Sequence, residues 1–248
     1  MARQPRLIVP DIALHIVQRG VDRQDCFSEE TDRLVYLSLL GELCTETGCS
    51  VHSYCLMTNH VHLLLTPSTD EGPSVLMRKV GQRYVPYFNR RYGRTGTLWE
   101  GRFKSCLVES TQYVLGCHRY IECNPVRAGM VADPAAYRWS SYHANVGLAD
   151  EPLLTPHAEY LALGLERGAS RAAYRGLFDS ALEPSLLKAI REATHGGYPL
   201  VGDALKDQLL KQARRTLAPR KPGPVRKAIS PETDGSLPFG EDPVLTPN

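Results

Sequence analysis

The sequence predicts an α+β fold: an antiparallel sheet with helices on one face, followed by a helical extension and a tail. Three observations carry this expectation. Up to Asn124 the apolar periodicity switches in the order strand, helix, strand, strand, helix, strand, helix. The second and third strands are separated only by Thr58 and Asn59, so they read as a hairpin. Beyond Leu148 the β-formers give way to helical patches, and from Leu217 Pro, Gly, Ser and charge dominate.

Residues 12–19 (IALHIVQR) alternate and end at Gly20, which marks a first strand. Residues 28–47 read as a helix with Ser28 or Thr31 as cap, Leu34, Leu37, Leu40, Leu43 and Cys44 as its apolar stripe and Gly48 as its stop. Strands follow at 49–57 and 60–65. A helical stretch from Ser74 contains Gly81 and Pro86, and because proline lacks a donor and crowds the preceding turn, a kink or two short helices is expected. A fourth strand spans 103–108. The next helix, capped by Ser110 or Thr111, must end near Asn124, because the residue before Pro125 is steered out of the α region. This order is the split βαβ, ferredoxin-like arrangement. Further helical patches are expected at 159–166, 171–177, 184–194 and 204–216.

Composition narrows the function classes. The chain has 248 residues, 42% hydrophobic and 23% charged, enough for one domain with an appendage. No run approaches the roughly 18 apolar residues of a membrane span, and residues 1–10 lack a signal-peptide apolar block, so a cytoplasmic protein without membrane partners is expected. Seven cysteines without CxxC spacing suit reduced, buried thiols. The net charge of +2 conceals a concentration: Arg78, Lys79, Arg83, Arg90, Arg91, Arg94, Arg102 and Lys104 lie together with Glu100 as the only acid. Tyr84, Tyr87, Phe88, Tyr92 and Trp99 interleave with them. Cations suit phosphates and aromatic rings suit unstacked bases, so the segment fits a single-stranded nucleic-acid track. The lesser alternative is an amphipathic helix with core aromatics and solvated cations, since such helices usually intersperse acids among the cations. The tail cations Arg214, Arg215, Arg220, Lys221, Arg226 and Lys227 suit either loose DNA contact or solvation.

Two constellations carry chemistry. His60 and His62 flank Val61 in a strand, so both imidazoles share one face and make half a site for a divalent cation. The same pattern suits a metallohydrolase, or two stacked structural histidines. Tyr120 and Asn124, at i and i+4, project together from a helix. A phenol can be the nucleophile of covalent catalysis, and an amide oxygen can complete a Mg²⁺ or Mn²⁺ site. Tyr113, Cys117, Tyr120 and Ile121 also make an ordinary apolar stripe, with Tyr113 read as packing.

The string Thr58-Asn59-His60-Val61-His62-Leu63-Leu64-Leu65 resembles the histidine–hydrophobic–histidine motif of the HUH endonucleases. Arg119-Tyr120-Ile121-Glu122-Cys123-Asn124-Pro125-Val126-Arg127-Ala128-Gly129 resembles the nucleophile helix of the REP-associated tyrosine transposases, relatives of single-tyrosine insertion-sequence transposases. His15 to Gly20 with Arg23, the stretch Gly96 to Phe103, and Trp139-Ser140-Ser141-Tyr142 match in the same order, so the resemblance covers about residues 6–145. It implies a HUH catalytic domain over 1–147, to which periodicity and composition add a helical extension over 148–216 and a disordered basic, Pro-rich tail over 217–248. It further implies an endonuclease and strand transferase with Tyr120 as nucleophile, forming a 5′-phosphotyrosine, and a divalent metal held by His60, His62 and Asn124. Single-stranded DNA hairpins of REP-like palindromes would be the substrate, gripped by Arg19, Arg23 and the cations of 78–104. No nucleotide cofactor is needed. One tyrosine per chain implies a homodimer or sequential turnover. The competing expectations are a domesticated hairpin-binding protein that does not cleave, an RNA-binding module and a tyrosine-independent metallohydrolase.

Overall fold

The structure, a computed structural model, describes residues 6–212. The elements run β1 (Ala13–Arg19), α1 (Glu30–Thr47), β2 (Cys49–Met57), β3 (His60–Pro67), α2 (Gly72–Tyr92), β4 (Lys104–Val108) and α3 (Thr111–Glu122). The short α4 (Asn124–Arg127) and α5 (Tyr142–Asn145) precede α6 (Ala158–Leu161), α7 (Arg167–Gly176), α8 (Pro184–Gly196) and α9 (Asp203–Gln212). The strands form one antiparallel sheet in the order β2-β3-β1-β4, so β3 and β1 are central. The expected α+β arrangement therefore stands. The tail cations and the whole tail over 217–248 lie outside the described residues.

Alternation along the strands sorts side chains to two faces. Leu14, Ile16, Val61, Leu63 and Leu65 pack with Tyr36, Leu40 and Leu43 of α1 and with Leu76, Val80 and Tyr84 of α2. Ala13, Leu64 and Cys106 point the other way, onto Val114, Cys117 and Ile121 of α3 and Ile190 and Ala193 of α8. The expectation of helices on one face thus holds for α1 and α2, while α3 and α8 cover the second. The reason is legible in β3 itself: VHLLL is apolar on both sides, and an open sheet face would leave Leu64 in water at a cost of about 2 kcal/mol.

Local details differ from the sequence expectations in three further places. Helix α1 is capped by Glu29 in a reciprocal box with Asp32 rather than by Ser28 or Thr31, and its buried stripe is Tyr36, Leu39, Leu40 and Leu43, leaving Leu34 exposed. Gly48 ends it in the left-handed conformation, as expected. Helix α2 runs unbroken through Pro86, because Pro86 is on the solvent side while Tyr84 and Phe88 anchor the flanking turns in the core. Ser110 makes no side-chain cap for α3 and has φ +84°. All seven cysteines are free, six of them buried.

Candidate active site

The register of the two central strands assembles the site. Arg19 faces His60, Val17 faces His62 and His15 faces Leu64, so on the α3 side of the sheet His15 is the diagonal neighbour of His62. The rings of His15 and His62 stack at 5.2 Å, and those of His60 and His62 meet edge-on at 4.9 Å. Tyr120, on the buried face of α3, sits over them, with its ring 5.7 Å from His15 and 5.8 Å from His62. The phenol is thus delivered to the histidine pair by packing of the apolar stripe that the periodicity of α3 predicts.

Helix α3 ends at Glu122 and Asn124 opens the next turn, so Tyr120 and Asn124 do not share one continuous helix. They nevertheless line the same cavity of about 310 Å³ with His60 and His62. The Asn124 Nδ2 is buried and unpartnered, and among the described residues no hydrogen bond holds the amide. Arg127 lies across the Tyr120 ring at 4.1 Å and donates from Nη2 to the Tyr120 carbonyl oxygen at 2.7 Å.

The histidines are neutral bases. Burial lowers His60 to about 4, with Arg19 adding to the effect. His62 is held well below its ordinary value by burial first, then by His15, His60 and the nearby cations. Neutral imidazole is the form that binds a metal. The Asn59 Nδ2 donates to the Arg23 carbonyl at 3.1 Å, which turns Oδ1 toward His60 Nδ1 at 2.7 Å. An amide oxygen only accepts, so His60 carries its proton on Nδ1 and keeps a lone pair on Nε2. Arg23 reaches this position in a left-handed conformation, φ 60°, next to Asp22 at φ 51°. Two such non-glycine residues in succession are a local strain that the fold tolerates where it shapes the site.

Of the predicted DNA-gripping cations, Arg19, Arg102 and Lys104 line the cavity, joined by Arg191 of α8, with Glu100 as the only carboxylate on its wall among the described residues. Arg78 borders a neighbouring groove that shares Arg102. Lys79 pairs with Glu46, Arg83 with Glu42 at 2.5 Å, and Arg91 with Glu29, so these three face α1 rather than the cavity. Arg94 donates to Gln24 at 3.0 Å and lies over Phe88. Arg23 and Arg90 are exposed away from any ion pair among the described residues. The interleaved aromatics are packing groups: Tyr84, Phe88 and Trp99 are buried, and the hydroxyls of Tyr87 and Tyr92 donate to Asp32. Tyr84, Phe88 and Trp99 are therefore closed to bases, while Tyr87 and Tyr92 are half-buried.

Five contributors had no role in the sequence reading: His15, Thr194, Arg127, Glu122 and Arg191. His15 carried a signal, a polar ring in the apolar strand IALHIV, whereas Thr194 is one unremarkable residue of a distant helix. Glu122 is fully buried and receives hydrogen bonds from Ser141 (2.5 Å), Asn145 (2.7 Å) and Tyr174 (2.8 Å), with Ser53 at 3.4 Å. Burial pushes its carboxyl up to about 7, against the pull of those donors. It ties α5 and α7 to the helix that carries Tyr120.

Fold and site together define a class: an α+β protein in which a buried-face tyrosine meets paired neutral histidines in a cation-rimmed cavity. Residues 8–124, just under half of the chain, match the family model described as "Transposase IS200 like". It is 22% identical over 121 residues to a Haemophilus influenzae protein that carries the name of a REP-associated tyrosine transposase, covering 45% of this chain and 69% of that one. The solved structure of a REP-associated tyrosine transposase bound to a REP hairpin is similar in fold, with TM-score 0.51 and 18% identity over 64% of this chain and 93% of that one. No helix among the described residues is long and apolar enough to cross a membrane.

Proposed function

We propose that the protein cleaves and rejoins single-stranded DNA at hairpins through a covalent bond to Tyr120, with a divalent cation at His60, His62 and Asn124. The observation that carries this reading is the contact of the Tyr120 ring with His62 inside a cavity that both line with His60, rimmed by Arg19, Arg102, Lys104 and Arg191. The donor set can hold a divalent cation: the two neutral imidazoles supply nitrogen, and the Asn124 amide oxygen is the hard donor of the kind Mg²⁺ or Mn²⁺ takes. When bound, the cation polarises a non-bridging oxygen of the scissile phosphate and offsets charge gained in the transition state.

The chain's own residues supply the rest. Arg19, Arg102 and Lys104 hold the phosphates on either side by charge, without reading sequence. The Tyr120 oxygen attacks phosphorus as the bond to the 3′ oxygen breaks, giving a 5′-phosphotyrosine. The phenol's proton is balanced by the one taken up on the released 3′-hydroxyl. Attack by another 3′-hydroxyl runs the same step backwards and joins new ends, so no nucleotide cofactor is consumed. Arg127, stacked on the phenol ring, favours negative charge on the oxygen as its proton leaves. Processing two ends uses either two chains or two successive rounds on one. Residues 1–147 would form the catalytic unit, and the hairpins of REP-like palindromes, as in the relative of known structure, are the DNA class it would take.

The test is incubation of the full chain with labelled single-stranded hairpins and Mn²⁺ or Mg²⁺, followed by a denaturing gel. A labelled protein–DNA band that disappears with EDTA and in Tyr120→Phe is expected. Tight hairpin binding with no adduct under either metal would overturn cleavage and leave a DNA-binding protein.

A further inference from the structure

The second histidine ligand does not stand alone. His62 Nδ1 lies 3.0 Å from His15 Nε2, and His15 Nδ1 lies 2.9 Å from Thr194 Oγ1. Thr194 belongs to α8, outside the stretch matched by the family model, and is 179 positions from His15 in sequence. All three residues are buried.

The protons along this chain follow from the far end. A hydroxyl has one hydrogen and two lone pairs. The Thr194 hydrogen goes to the Ile190 carbonyl at 2.8 Å, one turn back in α8. Its lone pairs are then what His15 and Cys106 meet, the Cys106 sulfur lying 3.3 Å away as a buried thiol. His15 must therefore donate from Nδ1. A neutral imidazole that donates from Nδ1 accepts at Nε2, so the proton between the two rings sits on His62 Nδ1. That leaves His62 Nε2 as a lone pair, with no hydrogen bond to it among the described residues.

We infer that His15 and Thr194 are positioning residues that hold His62 in the Nδ1–H tautomer, so that helix α8 sets the metal-binding nitrogen of a strand it follows by more than a hundred residues. The arrangement mirrors Asn59 on His60: both imidazoles are gripped at Nδ1 and offered at Nε2. A ligating histidine is usually oriented by a partner on its other nitrogen, and loss of that partner typically weakens metal binding about 10- to 100-fold. Here the partner is itself a histidine, whose own tautomer has to be set, and the Thr194–Ile190 bond does that.

This inference rests on the metal site proposed above, and its first readout needs no metal. Long-range ¹H–¹⁵N correlation spectra of the metal-free full chain should show His15 and His62 as Nδ1–H tautomers. Thr194→Val removes the acceptor, so His15 should move its proton to Nε2 and His62 should follow. Mn²⁺ affinity, read by the electron paramagnetic resonance of free Mn²⁺, should fall by about 10-fold or more in Thr194→Val and return in Thr194→Ser. A proton on His62 Nε2 in the unsubstituted chain overturns the relay, even where the Tyr120 adduct forms. Unchanged Mn²⁺ affinity in Thr194→Val overturns it too. Failure of the unsubstituted chain to bind Mn²⁺, with both tautomers as stated, would instead sink the metal-site reading, and with it the purpose assigned to the relay.

Discussion

Glu122 offers the sharpest test of how the tyrosine helix is held. Its carboxylate collects the Ser141 hydroxyl and Asn145 amide on Oε1 and the Tyr174 hydroxyl on Oε2, all within 2.8 Å. Truncation in Glu122→Ala removes the acceptor of three buried donors: the Ser141 hydroxyl keeps the Tyr54 carbonyl at 3.3 Å and the Asn145 amide keeps the His52 carbonyl at 3.2 Å, while the Tyr174 hydroxyl is left stranded among the described residues. A stranded group costs about 1–3 kcal/mol, partly offset by relief of the buried carboxylate's own desolvation. The net expectation is a loss of about 2–4 kcal/mol, from the stranded hydroxyl, the weakened contacts of Ser141 and Asn145 and the cavity left behind. Against a typical total of about 5–15 kcal/mol that is a large fraction. Urea unfolding at pH 8, where the carboxyl is ionised, should show the midpoint falling by about 1 M or more. Glu122→Gln keeps the volume and one acceptor oxygen, so its loss should be smaller. Amide exchange should rise first in α7, because Tyr174 is its tether to α3. A Glu122→Ala protein within about 1 kcal/mol of the unsubstituted chain would refute the accounting.

Three further outcomes are expected. Arg102→Ala should reduce the slope of log affinity against log salt for a single-stranded probe by about 0.7, whereas Lys79→Ala, whose cation is already paired with Glu46, should leave it unchanged; equal slopes in both would remove Arg102 from the DNA path. His52 donates from Nδ1 to the Thr155 carbonyl at 2.6 Å and accepts at Nε2 from Thr66 at 2.8 Å, and burial lowers it to about 4 despite the carbonyl bond. A base depressed in the folded state contributes stability that is present above its ordinary value of 6.5 and lost as pH falls toward 4, here about 3 kcal/mol. His52 faces His157 and lies near His118, both also lowered by burial, so the comparison is with His52→Gln: its urea midpoint should decline less between pH 7 and pH 4.5, and matching declines would exclude His52 as the source. Gly20→Ala would place a Cβ 2.2 Å from the Gln24 carbonyl oxygen, and because Gly20 also donates to the Asn59 carbonyl, the turn that aims Asn59 at His60 must shift. A loss of about 1–3 kcal/mol in thermal unfolding is expected, and an unchanged midpoint would show that the loop yields freely.

Much of the sheet was legible because its rules are local. Two-residue alternation fixes which face a side chain takes, so His60 and His62 were bound to point together wherever the strand lay. Gly48 needed only its own conformation to end α1. The apolar stripe of α3 placed Tyr120 on a buried face without reference to any other element. The aromatics of α2 were ambiguous for the same reason: a helical period says that Tyr84 and Phe88 share a side, not whether core or solvent covers it. Tertiary packing puts them in the core and hands Lys79, Arg83 and Arg91 to the carboxylates of α1.

By itself, then, the sequence determined the strand and helix order, the paired imidazoles, and the tyrosine and asparagine that accompany them, because each depends on spacing within one element or one short turn. Only the tertiary structure decided that His15 lies diagonal to His62, that a second helical layer including α8 closes the tyrosine face, and that Thr194 and Arg191 reach the cavity from far along the chain. Register between strands and contacts across long loops depend on how apolar surface is buried over the whole molecule, and no local window of residues carries that sum.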